Sequence, residues 1–477
     1  MNEDGIATAN STAASVDAVL LGDGSVALRG ATHDSRSVGA DTLFCCIRGG
    51  NFDGHAFAAA AVDAGAVALL VDHELAQSEV GNVTQLVVPD VRKALGPASV
   101  EIYDHPSEKL DVVGVTGTNG KTTIVHLLET LLSRDGSSVK IFGTLTGART
   151  TPEAPELQAQ LADAARRGVD AVAMEVSSHA LDMRRIDGTR FRIAIFTNLG
   201  HDHLDHHGTI ESYYQAKARL FSPTLADLAI INVDDPAGQR LARETDLDEV
   251  ITYGLSDAKD LSIDGPISRF TWRGLPVTLQ LAGGYNVSNA LAAALAAEAL
   301  GREPEDIADA LCAVSPPRGR FEFVNIGQPF HVAVDYAHTP DALVAALTAA
   351  RQVAGDAKVS VVFGCGGDRD RQKRPEMGRA AVAGADRVYV TSDNPRSEDP
   401  TEIVNAILDG IPGGAAHIAT TVELERDVAI AKAIGEARPG DVVLIAGKGH
   451  ETEQIIGGTV SPFDDRAVAL RALGTLS

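Results

Sequence analysis

The chain has 477 residues, more than one ordinary hydrophobic core spans, so roughly two to four domains are expected. Its 41 basic against 65 acidic residues leave a formal charge of −24, which argues against a grip on nucleic acid, since that needs a basic face. Hydrophobic and charged shares of 44% and 22% are those of a soluble globular protein, and no uncharged apolar run is long enough for a transmembrane helix.

Residues 1–108 read as a small α/β domain. Met1–Leu20 has early acidic residues, no basic segment and no long apolar core, so it is not a signal peptide. Apolar runs at Thr42–Ile47, Val67–Val71 and Gln85–Val88 alternate with Ala-rich, helix-like stretches such as His55–Ala64. The four cysteines, Cys45, Cys46, Cys312 and Cys365, form no C-x-x-C pair and no metal-ligand spacing. They imply inert thiols in a reducing cytosol. Tyr103–Ser107 reads as a linker, because Pro106 disfavours helix before it.

Residues 109–320 open with an apolar strand, Leu110–Val115, which runs into Gly114-Val115-Thr116-Gly117-Thr118-Asn119-Gly120-Lys121-Thr122-Thr123 and then a helical run, Ile124–Leu132. Strand, glycine loop, Lys-Thr and helix is the order a phosphate cradle needs. Backbone N–H groups and the helix N-terminus face the phosphates, the lysine adds a point charge, and the hydroxyl can ligate Mg²⁺. The glycines recur every third residue, whereas G-x-x-x-x-G-K would put one at Val115.

Further strands at Asp170–Glu175, Arg192–Thr197 and Leu228–Val233 end in Glu175, Asn198 and Asn232-Val233-Asp234. Carboxyl ends of strands are where open α/β sheets hold ligands. Glu175, beside a phosphate loop, suits Mg²⁺, though a solvated strand end fits equally. Four histidines and two aspartates crowd into His201–His207. Catalytic magnesium or substrate contacts explain them better than structural zinc, and not all four histidines are expected to act. Tyr213–Phe221 by itself is an amphipathic helix with Lys217 on it. Phe270–Leu281 reads as a hairpin around Gly274-Leu275-Pro276, and Asn286–Leu300 as an Ala-rich helix.

Residues 321–477 repeat βα units, which predicts a largely parallel sheet. Strands at His331–Val334, Val359–Phe363, Val388–Thr391 and Val442–Ala446 lead into Asp335–His338, Gly366–Arg369, Ser392–Arg396 and Gly447–Glu451. Arg396 beyond a strand end offers a planar fork for a carboxylate, or else closes a surface turn. Glu451 can receive an ammonium group.

In order and over almost the whole chain, Asp34-Ser35-Arg36, Gly114–Thr123, Glu175–Leu181, Asp202–Gly208, Asp335–Pro340, Asp393–Arg396 and Gly447–Glu451 resemble the Mur ligase family of ATP-dependent peptidoglycan ligases. The resemblance implies an α/β fold of three domains. Residues 1–108 would bind a UDP-sugar. Residues 109–320 would form a central P-loop ATPase with a mostly parallel sheet, and 321–477 a C-terminal Rossmann-like domain for the incoming amino acid. It implies that the D-glutamate carboxylate of UDP-MurNAc-L-Ala-D-Glu takes the γ-phosphate of ATP, and that an amine then displaces phosphate from the acyl phosphate.

The implied catalytic residues are Lys121, Glu175, His203 and Lys217. Implied ATP contacts are Gly117, Thr118, Asn119, Gly120, Lys121, Thr122, Thr123, Asn289, Arg320 and Asp335. One Mg²⁺ would be held by Thr122 and Glu175 and a second supported by His203, with Lys217, carbamylated by CO₂, helping to place the metal. UDP-sugar contacts carry over to Ser35, Gly50, Asn51, Phe52, Thr150, Thr151, Ser177, Met183 and Arg185. His33 and Met183 depart from the family pattern, which commonly has an apolar residue and a glutamine there. The amino-acid pocket would comprise Arg369, Asp393, Asn394, Pro395, Arg396, Gly447 and Glu451. In this family Asp-Asn-Pro-Arg marks members that add meso-diaminopimelate rather than L-lysine. Arg396 matches the second carboxylate, and a buried arginine left without it would reject lysine.

The alternatives are L-lysine addition, another amide ligase such as a folylpolyglutamate synthetase, a P-loop switch or motor, and a silent scaffold. Asp34-Ser35-Arg36 and Asp393–Arg396 disfavour the folate enzyme, the missing N-K-x-D disfavours a switch, and intact Lys121, Glu175, His203 and Lys217 disfavour a scaffold. The expected partners are small molecules, without nucleic acid or membrane insertion. A cytoplasmic monomer in peptidoglycan precursor synthesis is expected.

Overall fold

A computed structural model describes residues 6–50, 52–133, 138–147, 149–412 and 419–475. Asn51, one of the expected sugar contacts, lies outside the described residues. Three main sheets follow one another along the chain. The first has five strands in the order Val19–Leu21, Thr84–Val87, Ala66–Val71, Thr42–Cys45, Gly30–Thr32. Only Val19–Leu21 runs antiparallel to its neighbour.

The second sheet has six parallel strands, ordered Glu249–Tyr253, Ala226–Asn232, Phe191–Phe196, Asp111–Thr116, Ala171–Glu175, Val139–Phe142. From Asp111–Thr116 the chain winds to one side, then crosses back and winds to the other. The order therefore reverses between Asp111–Thr116 and Phe191–Phe196, and a reversal opens a crevice at the carboxyl ends of the strands. Both faces are covered, as a parallel sheet requires. Val113, Val115, Ile193 and Ile195 pack under the helices Lys121–Leu132, Gly284–Ala299 and Pro304–Ala313. Val112, Val172, Ala194 and Phe196 face the side of Ala154–Arg166. Alanines at 290, 292–294, 296 and 297 are fully buried, and their small side chains let Gly284–Ala299 lie close on Lys121–Leu132.

The third sheet runs Glu322–Phe323, His331–Asp335, Val442–Ala446, Val359–Phe363, Arg387–Val390, Ala419–Val422, parallel except for the first strand. Its two faces divide by the pleat. Val359, Val361 and Phe363 meet Pro340–Ala354 and Lys373–Gly384, while Val362 meets Arg426–Gly435 and Asp465–Gly474.

The expected hairpin forms, but its turn is Arg273-Gly274, both at positive φ (52° and 79°), as a two-residue turn between twisted strands requires. Pro276 sits within the strand Leu275–Leu279, which has a free edge, so its missing N–H costs no ladder bond. A third strand, Lys259–Asp264, flanks the hairpin. Among the described residues, no helix is long and apolar enough to cross a membrane.

Candidate active site

The phosphate loop lies at the crevice between Asp111–Thr116 and Phe191–Phe196, and the triplet glycine spacing has a steric cause. A Cβ on Gly114 would stand 2.7 Å from the Phe191 ring, one on Gly117 1.8 Å from Thr197 Oγ1, and one on Gly120 2.5 Å from Asn289 Oδ1. Gly117 and Gly120 also have φ of +149° and +93°. Val115 points instead into the core under Lys121–Leu132.

The loop is braced from the neighbouring strand end. Asn119 N–H donates to Asn198 Oδ1 (2.9 Å), Thr197 Oγ1 donates to the Asn119 carbonyl (2.6 Å), and Gly200 N–H donates to Thr118 Oγ1 (2.8 Å). Lys121 Nζ folds back onto the Gly117 and Thr118 carbonyls at 2.8 and 2.9 Å. Burial lowers its pKa, against the pull of the Glu175 and Asp202 carboxylates.

Glu175 ends its strand 1% exposed. It accepts from Thr122 Oγ1 (3.1 Å), from Thr144 N–H (2.7 Å) and from Thr144 Oγ1 (3.2 Å). Arg320 reaches the same hydroxyl, its Nη2 donating to Thr122 Oγ1 at 2.9 Å. Hard oxygens around a buried carboxylate suit Mg²⁺.

Lys217 is 1% exposed, with Nζ 4.4 Å from the centroid of the Tyr213 ring. Burial and then Lys121 push its pKa well below the ordinary lysine value, opposed by Asp202. His203 has a left-handed backbone (φ 55°), and burial takes its imidazole down to about 4. It is therefore neutral at pH 7 and can offer a lone pair. The other histidines of the cluster divide. His201 is exposed, and His206 and His207 pack around the ring of His179 at 4.2 and 5.6 Å.

A cavity of about 660 Å³ joins these groups. Of the expected residues it is lined by Thr118–Thr123, Thr150, Glu175, Ser177, His203, Lys217, Asn289, Arg320 and Asp335. Thr144, Tyr213, Tyr285 and Asp341 also line the cavity and carry no site signal in the sequence, whereas Asp202, in the crowded His201–His207 run, and Tyr336 and His338, directly after His331–Asp335, line it from segments that the sequence marks. Asp341 ties the third sheet's region to the second, accepting from His201 N–H at 2.8 Å. Asp335 accepts from Phe321 N–H (2.7 Å) and Ala337 N–H (2.8 Å), and burial raises its pKa.

Gly117, Thr151, Met183 and Arg185 lie outside the cavity lining. Thr151 Oγ1 donates to the Glu175 carbonyl at 2.9 Å, and Arg185 pairs with Glu153 at 2.8 Å and donates to Met183 Sδ at 3.4 Å. Ser35, Gly50 and Phe52 belong to the first sheet's loops, with Phe52 73% exposed.

The expected amino-acid residues form a second cluster at the strand ends of the third sheet. Asn394 Nδ2 donates to Glu451 Oε2 (2.8 Å). The fully buried Lys448 donates to Asn394 Oδ1 (3.0 Å) and Glu451 Oε2 (3.2 Å). Asp393 and Pro395 are buried. Arg396 is half-buried, with Nη1 on the Gly367 carbonyl (2.7 Å) and its backbone at φ 52° pinned by Ile455 O and Gly457 N. Arg369 is exposed. Tyr336 stands between the clusters, Arg320 over its ring at 4.6 Å and His450 at 5.0 Å.

Sequence and structure comparisons agree along the chain. Residues 28–102 match the Mur ligase family catalytic domain, 115–297 the Mur ligase middle domain, and 319–449 the Mur ligase glutamate ligase domain. A UDP-N-acetylmuramoyl-L-alanyl-D-glutamate--2,6-diaminopimelate ligase of Streptomyces coelicolor is 44% identical, over 95% of this chain and 94% of its own. One from Geobacillus thermodenitrificans is 44% identical over 92% and 94%. A solved structure of an enzyme with that name superposes with a TM-score of 0.66 at 34% identity, covering 94% of this chain and 95% of that one.

Proposed function

The chain belongs to the Mur ligase family, and on that premise we propose that it joins meso-2,6-diaminopimelate to UDP-N-acetylmuramoyl-L-alanyl-D-glutamate, converting ATP to ADP and phosphate. The observation that carries the reading is the single cavity in which a phosphate loop, the buried Glu175 and the buried Lys217 meet Arg320 and Asp335. A carboxylate oxygen of the D-glutamate attacks the γ-phosphorus, and ADP departs. The amine nitrogen then attacks the acyl carbon, loses a proton and expels phosphate. Such chemistry asks for position and charge neutralisation more than for covalent help.

Lys121 on the loop carbonyls and Arg320 on the Thr122 hydroxyl supply positive charge, and Asn289 borders the loop at Gly120. Mg²⁺ held by Thr122 and Glu175, and a second ion supported by His203, with Lys217 helping to place the metal, would add charge neutralisation when bound. The residues fit it, for Glu175 and Thr122 are hard donors 3.1 Å apart and His203 is neutral. Lys217 fits only once modified. Its depressed pKa supports a neutral amine, which can attack CO₂ and lose a proton to become a carbamate anion.

Ser35, Gly50, Asn51, Phe52, Thr150, Thr151, Ser177, Met183 and Arg185 would hold the UDP-sugar substrate. Arg369, Asp393, Asn394, Pro395, Arg396, Gly447 and Glu451 would take the amino acid, Arg396 pairing with the second carboxylate and Glu451 with an ammonium group. These soluble substrates suit a cytoplasmic enzyme that acts as a monomer. Phosphate release by purified protein tests the reading, with ATP, Mg²⁺, the UDP-dipeptide and a panel of amino acids. Turnover with meso-diaminopimelate well above L-lysine is expected. Equal turnover with lysine would remove the specificity, and silence with every amino acid would remove the activity.

A further inference from the structure

The first sheet carries a cluster of side chains that the ligase reading leaves unused. We propose that His55, Asp72 and His73 bind one divalent transition-metal ion of the Zn²⁺ class, clipping the turn Gly54–Phe57 to the end of the strand Ala66–Val71. Each residue offers one ligand atom, and the three atoms lie within 4.8 Å of one another. Bonds of about 2.0–2.2 Å in tetrahedral array put ligand atoms about 3.4 Å apart. His55 Nε2 and Asp72 Oδ1 already stand at 3.3 Å. His73 Nδ1 is closer to the same oxygen, at 2.5 Å, on an exposed side chain that can swing out to admit an ion.

The support behind the ligands is the stronger observation. Asp53 Oδ1 lies 2.6 Å from His55 Nδ1. With Nδ1–H donated to that carboxylate, Nε2 carries the lone pair and faces Asp72, and the long bond it accepts from the Asp72 backbone N–H (3.4 Å) is one that an ion displaces. A carboxylate behind an imidazole is how proteins fix the tautomer and aim of a metal-bound histidine. The His55 side chain is only 7% exposed, so packing holds that aim, while His73 at 53% leaves a way in from solvent.

Arg48 is the competitor within the cluster. Its Nε donates to Asp72 Oδ2 at 2.6 Å and its Nη2 to Oδ1 at 3.2 Å. The longer bond is the one an ion displaces, and Arg48 then remains on Oδ2 as a support for the ligating carboxylate. Two imidazoles and one carboxylate select a borderline ion over Mg²⁺, which prefers oxygen. Asp53, Asp72 and Arg48 together carry one net negative charge, which an incoming cation offsets. The site is a clip, and its occupancy does not depend on the ligase reading.

The test uses the full chain stripped with chelator and held in saturating Mg²⁺, titrated with Zn²⁺ by calorimetry and with Co²⁺ by visible absorption. One equivalent of Zn²⁺ is expected to bind and raise Tm, and Co²⁺ to give the intense bands of four-coordination. Asp72→Asn, which keeps the shape of the side chain, and His73→Ala, at an exposed one, should each weaken binding by about tenfold or more and abolish the Co²⁺ bands. His203→Ala and His206→Ala should leave both signals in place. Absence of stoichiometric binding overturns the proposal. So does binding that Asp72→Asn and His73→Ala leave unchanged, or that His203→Ala or His206→Ala removes.

Discussion

Lys217 is buried in a place that disfavours its own charge. Desolvation and the neighbouring Lys121 both push its pKa down, and a neutral amine is what CO₂ requires. Lys217→Ala is therefore expected to be nearly inactive and to regain part of its turnover in the presence of a small carboxylic acid. Wild-type turnover in that variant would contradict the role. Nothing local marks this lysine in the sequence, because Tyr213–Phe221 by itself reads as an amphipathic helix; only resemblance singles it out. The glycine triplets were legible, but their cause was not, since Phe191, Thr197 and Asn289 come from distant segments. Gly117→Ala would force a Cβ to 1.8 Å from Thr197 Oγ1 at a φ of +149°. Nucleotide affinity measured by calorimetry should fall by an order of magnitude or more, and unchanged affinity would contradict the steric account.

Among the elements, the cluster proposed to take the amino acid hangs on strand ends that one buried ion pair braces. Arg426 Nε and Nη2 each meet Asp465 at 2.7 Å, both side chains fully buried. The guanidinium also donates to the Ala446 carbonyl (3.0 Å) and the Ser392 carbonyl (3.4 Å), just before Gly447 and Asp393. Removing one partner of such a pair strands the other, at a cost of about 3–5 kcal/mol. Arg426→Met should lower Tm sharply and raise the KM for the amino acid, while Arg426→Met with Asp465→Leu should recover much of the Tm. Equal Tm for both variants would contradict the bracing.

The central strands were legible because burial on both faces demands unbroken apolar runs such as Val359–Phe363 and Val442–Ala446. Val139–Phe142, Glu249–Tyr253, Ala419–Val422 and Lys259–Asp264 were missed. All four are edge strands, where one side is free and mixed polarity is tolerated.

Across the whole molecule, the cavity depends on segments from the second and third sheets meeting. Arg320 reaches Thr122, and Asp341 takes the His201 N–H. Sequence pattern located the strand ends on each side, but not that Tyr336, His338 and Asp341 would face the phosphate loop, because no local signal encodes how two sheets dock.

The same packing makes the fold sensitive to mild acid. Burial takes His450 and His207 down to about 4, with nearby arginines adding to the shift at His450 and neighbouring histidines at His207. The unfolded chain protonates these rings near pH 6.5, before the folded chain does. Their contribution is complete above that pH and is lost as the pH falls from about 6.5 toward 4. The urea midpoint should drop between pH 7 and pH 5, and a flat midpoint would contradict it.

In the proposed reaction the cavity presents a γ-phosphate to a substrate carboxylate. The most direct measurement uses UDP-dipeptide carrying heavy oxygen in its D-glutamate carboxylate groups, with mass analysis of the phosphate released during ligation of meso-diaminopimelate. Heavy oxygen in the phosphate is the predicted result, because the attacking carboxylate oxygen leaves with the phosphorus. Phosphate released without the label would contradict the account.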